Sequence, residues 1–244
     1  MTCPDRVRVL VVGDSGVGKT SLTSLIANNT CLSSPGWTVG SSIEVKLHPY
    51  LEGTPNEKEY FIEMMDIGGS HSQRNTRHVF MHTCHGIVLV HDLTNRKSCL
   101  NLDKWLAEVM RAEAGSTKYS GAWDGAGPGD IGEVSIPLLV VGTKVDEANG
   151  SRLPLHNRRS DIAEDLGTEE IHLNCNDKSS IGPGTSAATK LSRFFDKVIT
   201  RQFYSDPRRA SVTNNVVTIS SDRRHRTQAG ERNIMMDNLL FKSQ

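Results

Sequence analysis

The chain has 244 residues, of which 36% are hydrophobic and 23% are charged, a composition that supports a folded core and excludes wholesale disorder. Lys plus Arg equal Asp plus Glu at 28 each, so the net charge gives no argument for nucleic acid or an anionic membrane as partner. Five cysteines without a C-x-x-C pair, no secretory signal and no apolar run near the ~18 residues of a membrane span together predict a cytoplasmic protein.

Patterns typical of strands and of helices alternate along the chain as far as residue 203. The strands are predicted over 6–12, 44–47, 59–66, 86–92 and 136–142, and the helices over 21–28, 102–110 and 185–203. A turn at 53–56 joins the second and third strands into a hairpin. In the last helix, one apolar stripe contains Ala187, Leu191, Phe194, Phe195, Val198 and Ile199. This alternation predicts a three-layer α/β domain with a mostly parallel sheet.

Two stretches depart from this pattern. Residues 111–135 hold six glycines and show no periodicity, which predicts an exposed inserted loop. Residues 205–244 are rich in basic residues and poor in apolar ones, which predicts a mostly disordered tail. Near the end of this tail, one face of a short helix would contain Met235, Met236, Leu239 and Leu240. These four are either a docking motif that folds on a partner or chance apolar residues in a frayed tail.

The segment from Gly13 to Thr20 matches G-x-x-x-x-G-K-[ST] between a predicted strand and a predicted helix. In such a loop the backbone N–H groups and the helix N-terminus face phosphate oxygens. The Lys19 ammonium adds a cation, and the Thr20 hydroxyl is a hard ligand for Mg²⁺. The predicted phosphate-binding residues are Ser15, Gly16, Val17, Gly18, Lys19, Thr20 and Ser21. A chance glycine-rich turn is the alternative, and the loop alone does not distinguish ATP from GTP.

The base is predicted from Thr143, Lys144, Val145 and Asp146, at the end of the strand over 136–142. Ligands bind at this edge of open α/β sheets. The Asp146 carboxylate can accept two hydrogen bonds from guanine, whereas adenine would leave a buried carboxylate unpaired. The Lys144 stem can lie over the base. A surface loop is the alternative for this short motif.

A third motif is Asp66-Ile67-Gly68-Gly69. Asp66 ends a strand and is predicted to hold Mg²⁺ through water, and the Gly69 amide is predicted to contact a γ-phosphate. Thr38, which lies 18 residues after Thr20, is predicted to close over the metal when a γ-phosphate is present. An ordinary loop threonine is the alternative at this position. The predicted metal ligands are therefore Thr20, Thr38 and Asp66.

The order of these motifs resembles that of the Ras-like small GTPases. Rab-like features follow in the third helix, at Asn101, Trp105 and Glu108, and in the fourth strand, at His91-Asp92-Leu93-Thr94. The similarity covers residues 5 to about 203. It implies GTP or GDP with Mg²⁺ as ligands and a P-loop G domain over 5–204. That fold is a six-stranded, mostly parallel sheet with one antiparallel strand and helices on both faces, interrupted by the 111–135 loop and followed by the 205–244 tail.

Several positions depart from the family pattern. Ser70 stands where a glutamine normally orients the attacking water, so no catalytic residue is assigned and GTP hydrolysis is expected to be slow. His71 is more easily interpreted as a solvated loop residue than as a substitute. Thr143 replaces an asparagine, which predicts lost contacts to the base and its surrounding loops. The guanine loop is reduced to Asn174-Cys175-Asn176, where the Asn176 N–H is the remaining donor expected for the base.

The sequence leaves two main functional interpretations. One is a guanine-nucleotide switch with weak GTPase activity, favoured by the retained Lys19, Thr20, Thr38, Asp66 and Asp146. The other is a nucleotide-stabilised scaffold that binds partners in any nucleotide state, favoured by Ser70 and the altered guanine loop. Asp146 argues against a third interpretation, an ATPase.

The resemblance also implies that the protein acts on other small GTPases or on their prenylation, and that it forms a homodimer. Because the last cysteine is Cys175, no C-terminal lipid anchor is expected.

Overall fold

The computed structural model describes residues 4–116, 136–149 and 160–205. The strands are β1 (Asp5–Val12), β2 (Ser41–Tyr50), β3 (Lys58–Ile67), β4 (Gly86–Asp92), β5 (Leu138–Thr143) and β6 (Glu169–His172). The α-helices are α1 (Lys19–Asn28), α2 (Arg96–Leu100), α3 (Leu102–Ser116), α4 (Val145–Asn149), α5 (Asp161–Asp165) and α6 (Ser186–Ile199). None of the helices in these ranges combines the length and the apolar character that crossing a bilayer requires.

The six strands form one sheet in the order β2-β3-β1-β4-β5-β6. Strand β2 runs antiparallel to β3, and every other neighbouring pair is parallel. The predicted hairpin is confirmed, and both of its strands are longer than predicted. Pro49 lies inside β2, where it is tolerated because β2 is the edge strand of the sheet that the described residues form. The predicted fold class is confirmed.

Apolar side chains cover both faces of the sheet. In β1, Val9 and Val11 join the core beneath α1 and α6, whereas Leu10 and Val12 join the core beneath α3 and α5. This alternation is what a parallel strand between two helical layers requires. The predicted stripe of α6 faces the first core, with Phe195 1% exposed and Val198 fully buried. The three-layer architecture therefore follows from the period of the apolar residues.

Part of the predicted inserted loop is helical. Helix α3 continues to Ser116, so residues 111–116 belong to it. The extension is anchored because Ala112 is buried and the Glu113 carboxylate accepts the N–H of Cys84 at 2.8 Å. The glycine content of the whole stretch concealed this helical start. Residues 117–135 lie outside the described part of the chain.

The chain after α6 also differs from the prediction. The α-helix ends at Ile199, and one π-helical turn, Thr200–Tyr204, takes the place of the predicted continuation. The Tyr204 ring stacks on Tyr50 at 5.3 Å between centroids, and its hydroxyl bonds that of Tyr60 at 2.7 Å. These contacts hold the last described turn against the β2–β3 hairpin. Residues 206–244, with the predicted disordered tail and its docking motif, lie outside the described residues.

Candidate functional site

The predicted motifs meet at one edge of the sheet. Parallel strands β1, β3, β4 and β5 end on the same side, so the loops that follow them are neighbours. The loop after β1 is the glycine-rich loop 13–18, and α1 begins directly after it at Lys19. Among the described residues no side chain caps α1, and its first turn holds no acidic residue. The first N–H groups of α1 are therefore open to an anion.

Lys19 is the first residue of α1, directly after this loop, and is only 6% exposed. Its ammonium donates to the carbonyl oxygens of Gly13 at 2.9 Å and Asp14 at 2.8 Å. Burial lowers the pKa of Lys19 to about 8, against the opposing pull of the Asp66 and Asp14 carboxylates. A buried cation held by two neutral carbonyls is incompletely compensated, so an arriving phosphate would stabilise it.

The three predicted metal ligands are in direct contact. The Thr20 hydroxyl donates to Asp66 Oδ2 at 2.6 Å, the Thr38 hydroxyl donates to the same oxygen at 2.9 Å, and the two hydroxyl oxygens are 3.0 Å apart. Asp66 is fully buried, and its other oxygen, Oδ1, has no partner among the described residues. A buried carboxylate oxygen without a donor is costly. Three hard oxygen groups with one unsatisfied acceptor are a donor set that fits Mg²⁺.

Gly69 lies directly on the glycine-rich loop. A Cβ atom at Gly69 would stand 2.5 Å from the Ser15 nitrogen and 2.8 Å from the Gly13 oxygen, so only glycine fits there. The Ser70 hydroxyl is bonded to the Ser72 hydroxyl at 2.9 Å. His71 is exposed at the start of a short 3₁₀ turn, His71–Gln73, as the solvated-loop interpretation predicts.

On the base side, Thr143 differs from expectation. It is 1% exposed, and its hydroxyl lies 2.5 Å from the Val17 carbonyl oxygen and 3.0 Å from that of His91. The prediction that this threonine loses contacts to the surrounding loops is therefore wrong for the glycine-rich loop. The Thr143 hydroxyl reaches Val17 because the end of β5 lies beside the glycine-rich loop. A Cβ atom placed on Gly18 of that loop would stand 3.6 Å from Thr143 Oγ1.

Lys144 is held next to the same strand ends. Its backbone takes φ 59°, and its ammonium pairs with Asp92 Oδ2 at 2.7 Å. Burial raises the pKa of Asp92, but hydrogen bonds from Lys144 and Thr94 outweigh this and keep the pKa below its ordinary value. The ion pair holds the Lys144 side chain against the end of β4.

Asp146 lies in the first turn of α4, one residue after Val145, and its side chain is exposed. The strand ends before it, at Thr143, and the carboxylate stands at the rim of the site. Burial raises the pKa of the nearby Cys175 thiol to about 12, with the Asp146 charge as the next contribution. The Val145 N–H donates to the Leu173 carbonyl at 3.4 Å, so the base motif lies beside the strand end that leads into the guanine loop.

The guanine loop has a local hydrogen bond that sequence reasoning missed. The Asn176 N–H, the donor expected for the base, donates to Asn174 Oδ1 at 2.8 Å. Asn side chains commonly close such turns two residues along the chain. A base oxygen would therefore compete with Asn174 for this donor.

A bridge from α3 to the loops was also missed. Both oxygens of the Asp14 carboxylate are bonded, to Asn101 Nδ2 at 2.7 Å and to Trp105 Nε1 at 2.8 Å. Arg77 stacks on the Trp105 ring at 4.0 Å, and its Nη2 donates to Glu108 at 2.7 Å. The only sequence signal was the four-residue spacing of Asn101 and Trp105, which places them on one helical face.

Comparison with known proteins agrees with this geometry. The family model described as "Ras of Complex, Roc, domain of DAPkinase" matches residues 8–119. Rab-like protein 3 of Mus musculus is 46% identical over 212 residues, which is 84% of this chain and 89% of the relative. Rab-like protein 3 of Xenopus tropicalis is 44% identical over 92% of this chain and 94% of its own, and that of Homo sapiens is 45% identical over 84% and 89%. The chain belongs to the Rab-like family of Ras-like small GTPases.

Proposed function

We propose that the protein is a guanine-nucleotide-dependent switch that binds GTP and GDP with Mg²⁺ and hydrolyses GTP slowly without assistance. The observation that carries this proposal is the contact of the Thr20 and Thr38 hydroxyls with Asp66 Oδ2, while the buried Oδ1 of the same carboxylate has no donor among the described residues. The buried ammonium of Lys19 lies in the adjacent loop region. A protein that never binds nucleotide has no need for a buried cation and a buried carboxylate at the same sheet edge, since both are costly.

Each part of the site then has a role. The N–H groups of the glycine-rich loop and of the start of α1 bind the phosphates, and Lys19 neutralises their charge. Thr20, Thr38 and Asp66 would hold Mg²⁺, which when bound neutralises charge on the phosphate oxygens. Gly69 contacts the γ-phosphate, and the base lies between Lys144, Asp146 and the guanine loop. The proposed nucleotide contacts are Ser15, Gly16, Val17, Gly18, Lys19, Thr20, Ser21, Gly69, Thr143, Lys144, Val145, Asp146, Asn174, Cys175 and Asn176.

Slow hydrolysis follows from Ser70. Its side chain is too short to hold a water molecule against a γ-phosphate, and its hydroxyl is already bonded to Ser72. A partner that supplies the missing group would accelerate the reaction. The switch would then be set by such partners and by nucleotide exchange.

The second candidate is a scaffold that uses the same fold in any nucleotide state. Two observations favour it: the Asn176 N–H is occupied by Asn174, and Trp37 and Val39 are 95% and 82% exposed beside Thr38. Exposed apolar residues next to the metal site suit a protein partner. If partners bind equally well with GTP, with GDP and without nucleotide, the scaffold is correct and the switch is not.

The finer assignments rest on family membership and are part of the same proposal. We place the protein in the cytoplasm, as a homodimer that acts on other small GTPases or on their prenylation. The 44–46% identity to Rab-like protein 3 sequences is what supports them.

The test is binding of fluorescent GDP and GTP during a Mg²⁺ titration, with ATP as competitor, followed by single-turnover GTP hydrolysis by the wild type and by Ser70→Gln. We expect Mg²⁺-dependent binding of both guanine nucleotides, weak competition by ATP, slow wild-type turnover and acceleration of about tenfold, ~1.4 kcal/mol of barrier, by the glutamine. Fast unassisted turnover by the wild type would contradict the assignment of Ser70, and equal competition by ATP would contradict the base assignment.

A further inference from the structure

A glutamine lies near the metal site, three residues after the position where the family's catalytic glutamine is replaced by Ser70. The side-chain oxygen of Gln73 accepts the N–H of Gly40 at 3.1 Å. The same oxygen is 2.3 Å from where a Cβ would stand at Gly68, and the Thr38 carbonyl oxygen is 2.8 Å from that point. The Gln73 carboxamide is therefore packed between the two segments that carry Thr38 and Asp66.

These two segments continue the β2–β3 pairing beyond the sheet. Ser41 pairs with Ile67 in the antiparallel register, and the Gly68 N–H donates to the Gly40 carbonyl at 2.8 Å. The Gly40 N–H is the next donor along, and Gln73 accepts it. On the other side of Gly40, the Phe80 ring lies 3.3 Å from where a Cβ would stand. Gly40 is thus held by its carbonyl, by its N–H and by an aromatic contact.

The segment ahead of Gly40 has few other attachments. Residues 31–37 make no hydrogen bond to another described residue, and Trp37 and Val39 are almost fully exposed. The Thr38 hydroxyl, bonded to Asp66 at 2.9 Å, and the two backbone groups of Gly40 are therefore the polar attachments of this segment at the metal site. Of these attachments, only the Gly40 N–H bond is made by a side chain that is not itself a candidate ligand.

We infer that Gln73 is a positioning residue that holds the Thr38 segment closed over the metal site in the GTP-bound form. It touches neither nucleotide nor metal, and acts by accepting the Gly40 N–H. The inference rests on the proposed function. Because Thr38 is expected to close only when a γ-phosphate is present, loss of the Gln73 oxygen should weaken the GTP complex and leave the GDP complex as it is.

The test compares release of a fluorescent non-hydrolysable GTP analogue and of fluorescent GDP, at fixed Mg²⁺, from the full chain and from Gln73→Met and Gln73→Glu. Methionine fills a similar volume without the acceptor oxygen, and glutamate keeps it. We expect Gln73→Met to release the GTP analogue about fivefold faster, the factor that one ordinary hydrogen bond is worth, with GDP release unchanged. In Gln73→Glu the ratio of the two rates should return toward the wild-type value. Asn75→Met, an exposed substitution in the same loop, is the matched control and should change neither rate.

The outcomes separate the possible failures. If the wild type binds neither fluorescent nucleotide, the proposed function is wrong, and the role of Gln73 is wrong with it. If the wild type binds both and Gln73→Met releases both faster by the same factor, or releases neither faster, only the role of Gln73 is wrong. The role of Gln73 is also wrong if Gln73→Met and Gln73→Glu release the GTP analogue faster by the same factor while GDP release is unchanged, because the acceptor oxygen would then not matter.

Discussion

The phosphate side of the site (Lys19, Thr20, Thr38 and Asp66) and the base side (143–146 with 174–176) are organised differently. On the phosphate side, Lys19 and Asp66 are buried, and every one of the four side chains is bonded to the loops around it. On the base side, Asp146 is exposed and the Asn176 N–H is committed to Asn174. Among the described side chains of the base side, only those of Thr143 and Lys144 are bonded to the surrounding loops and strand ends, whereas all four on the phosphate side are, so affinity should depend more on the phosphates than on the base.

The largest effect is expected at the phosphate side. Lys19→Met removes the buried cation, which we expect to donate two hydrogen bonds to phosphate oxygens. The substitution should weaken GTP and GDP by roughly 4 kcal/mol, since each charged hydrogen bond is worth about 2 kcal/mol. The measurement is equilibrium binding of fluorescent GDP. Lys97→Met, on the exposed side of α2, is the control and should leave the affinity unchanged. A loss of less than about tenfold in Lys19→Met would show that the buried ammonium has another partner.

A smaller effect is expected on the base side. Asp146→Asn replaces an acceptor that faces two guanine donors, and should weaken GTP and GDP by about 2 kcal/mol, because the contact is exposed until the base covers it. Xanthine nucleotides should lose less affinity, since their edge presents a carbonyl to the new amide. Competition with GDP, XDP and ADP measures all three. A loss greater than that of Lys19→Met would reverse the comparison of the two sides.

The comparison also shows which parts of the site the sequence can reveal. Local motifs identified the four phosphate-side residues because these occur at fixed positions in a loop, a strand end and a helix start, and the structure brings Thr20, Thr38 and Asp66 into contact. They did not predict Gln73, or the partners of Asp14 at and just before the start of α3, because those contacts join residues far apart in sequence and depend on how the layers pack.

The fold was more predictable than the site. Val9, Leu10, Val11 and Val12 form a continuous apolar run, which indicates a strand buried on both faces. The structure has that strand, with its side chains shared between the two cores. Predictions failed where one residue's context outweighed the local pattern. Pro49 is acceptable at an open sheet edge, and residues 111–116 stay helical because Ala112 and Glu113 find partners in the rest of the domain.

The stability of the sheet beneath the base side can be tested through Glu170. Glu170 in β6 is buried and bonded to His91 at 3.0 Å, to His172 at 3.2 Å and to the Ser160 N–H at 2.6 Å. Burial raises the pKa of Glu170, but the hydrogen bonds from His172, His91 and Ser160 outweigh it and hold the pKa far below its ordinary value. The sheet beneath the loops is therefore tightly held.

The sign of the pH dependence follows from that depressed pKa. The stabilisation is fully present above the unfolded pKa of a glutamate, about 4.3, and is lost as the pH falls toward the folded value. Between pH 5 and pH 3 the wild type should lose roughly 2 kcal/mol more stability than Glu170→Gln. Thermal unfolding of both proteins across this range is the measurement. Parallel curves would mean that the carboxylate is not selectively stabilised in the folded state.

The smallest effect is expected at the tip of the guanine loop, where the two sides differ most. Asn174→Ala removes the acceptor of the Asn176 N–H and frees this donor for the base oxygen. The gain is limited, because in the nucleotide-free variant the exposed Asn176 N–H is bonded to water. The affinity for GDP should therefore rise by no more than about 1 kcal/mol. Asn174→Asp keeps an acceptor at the same place and is the control that should show no gain. Weaker GDP binding by Asn174→Ala would show instead that the local hydrogen bond shapes the loop for the base.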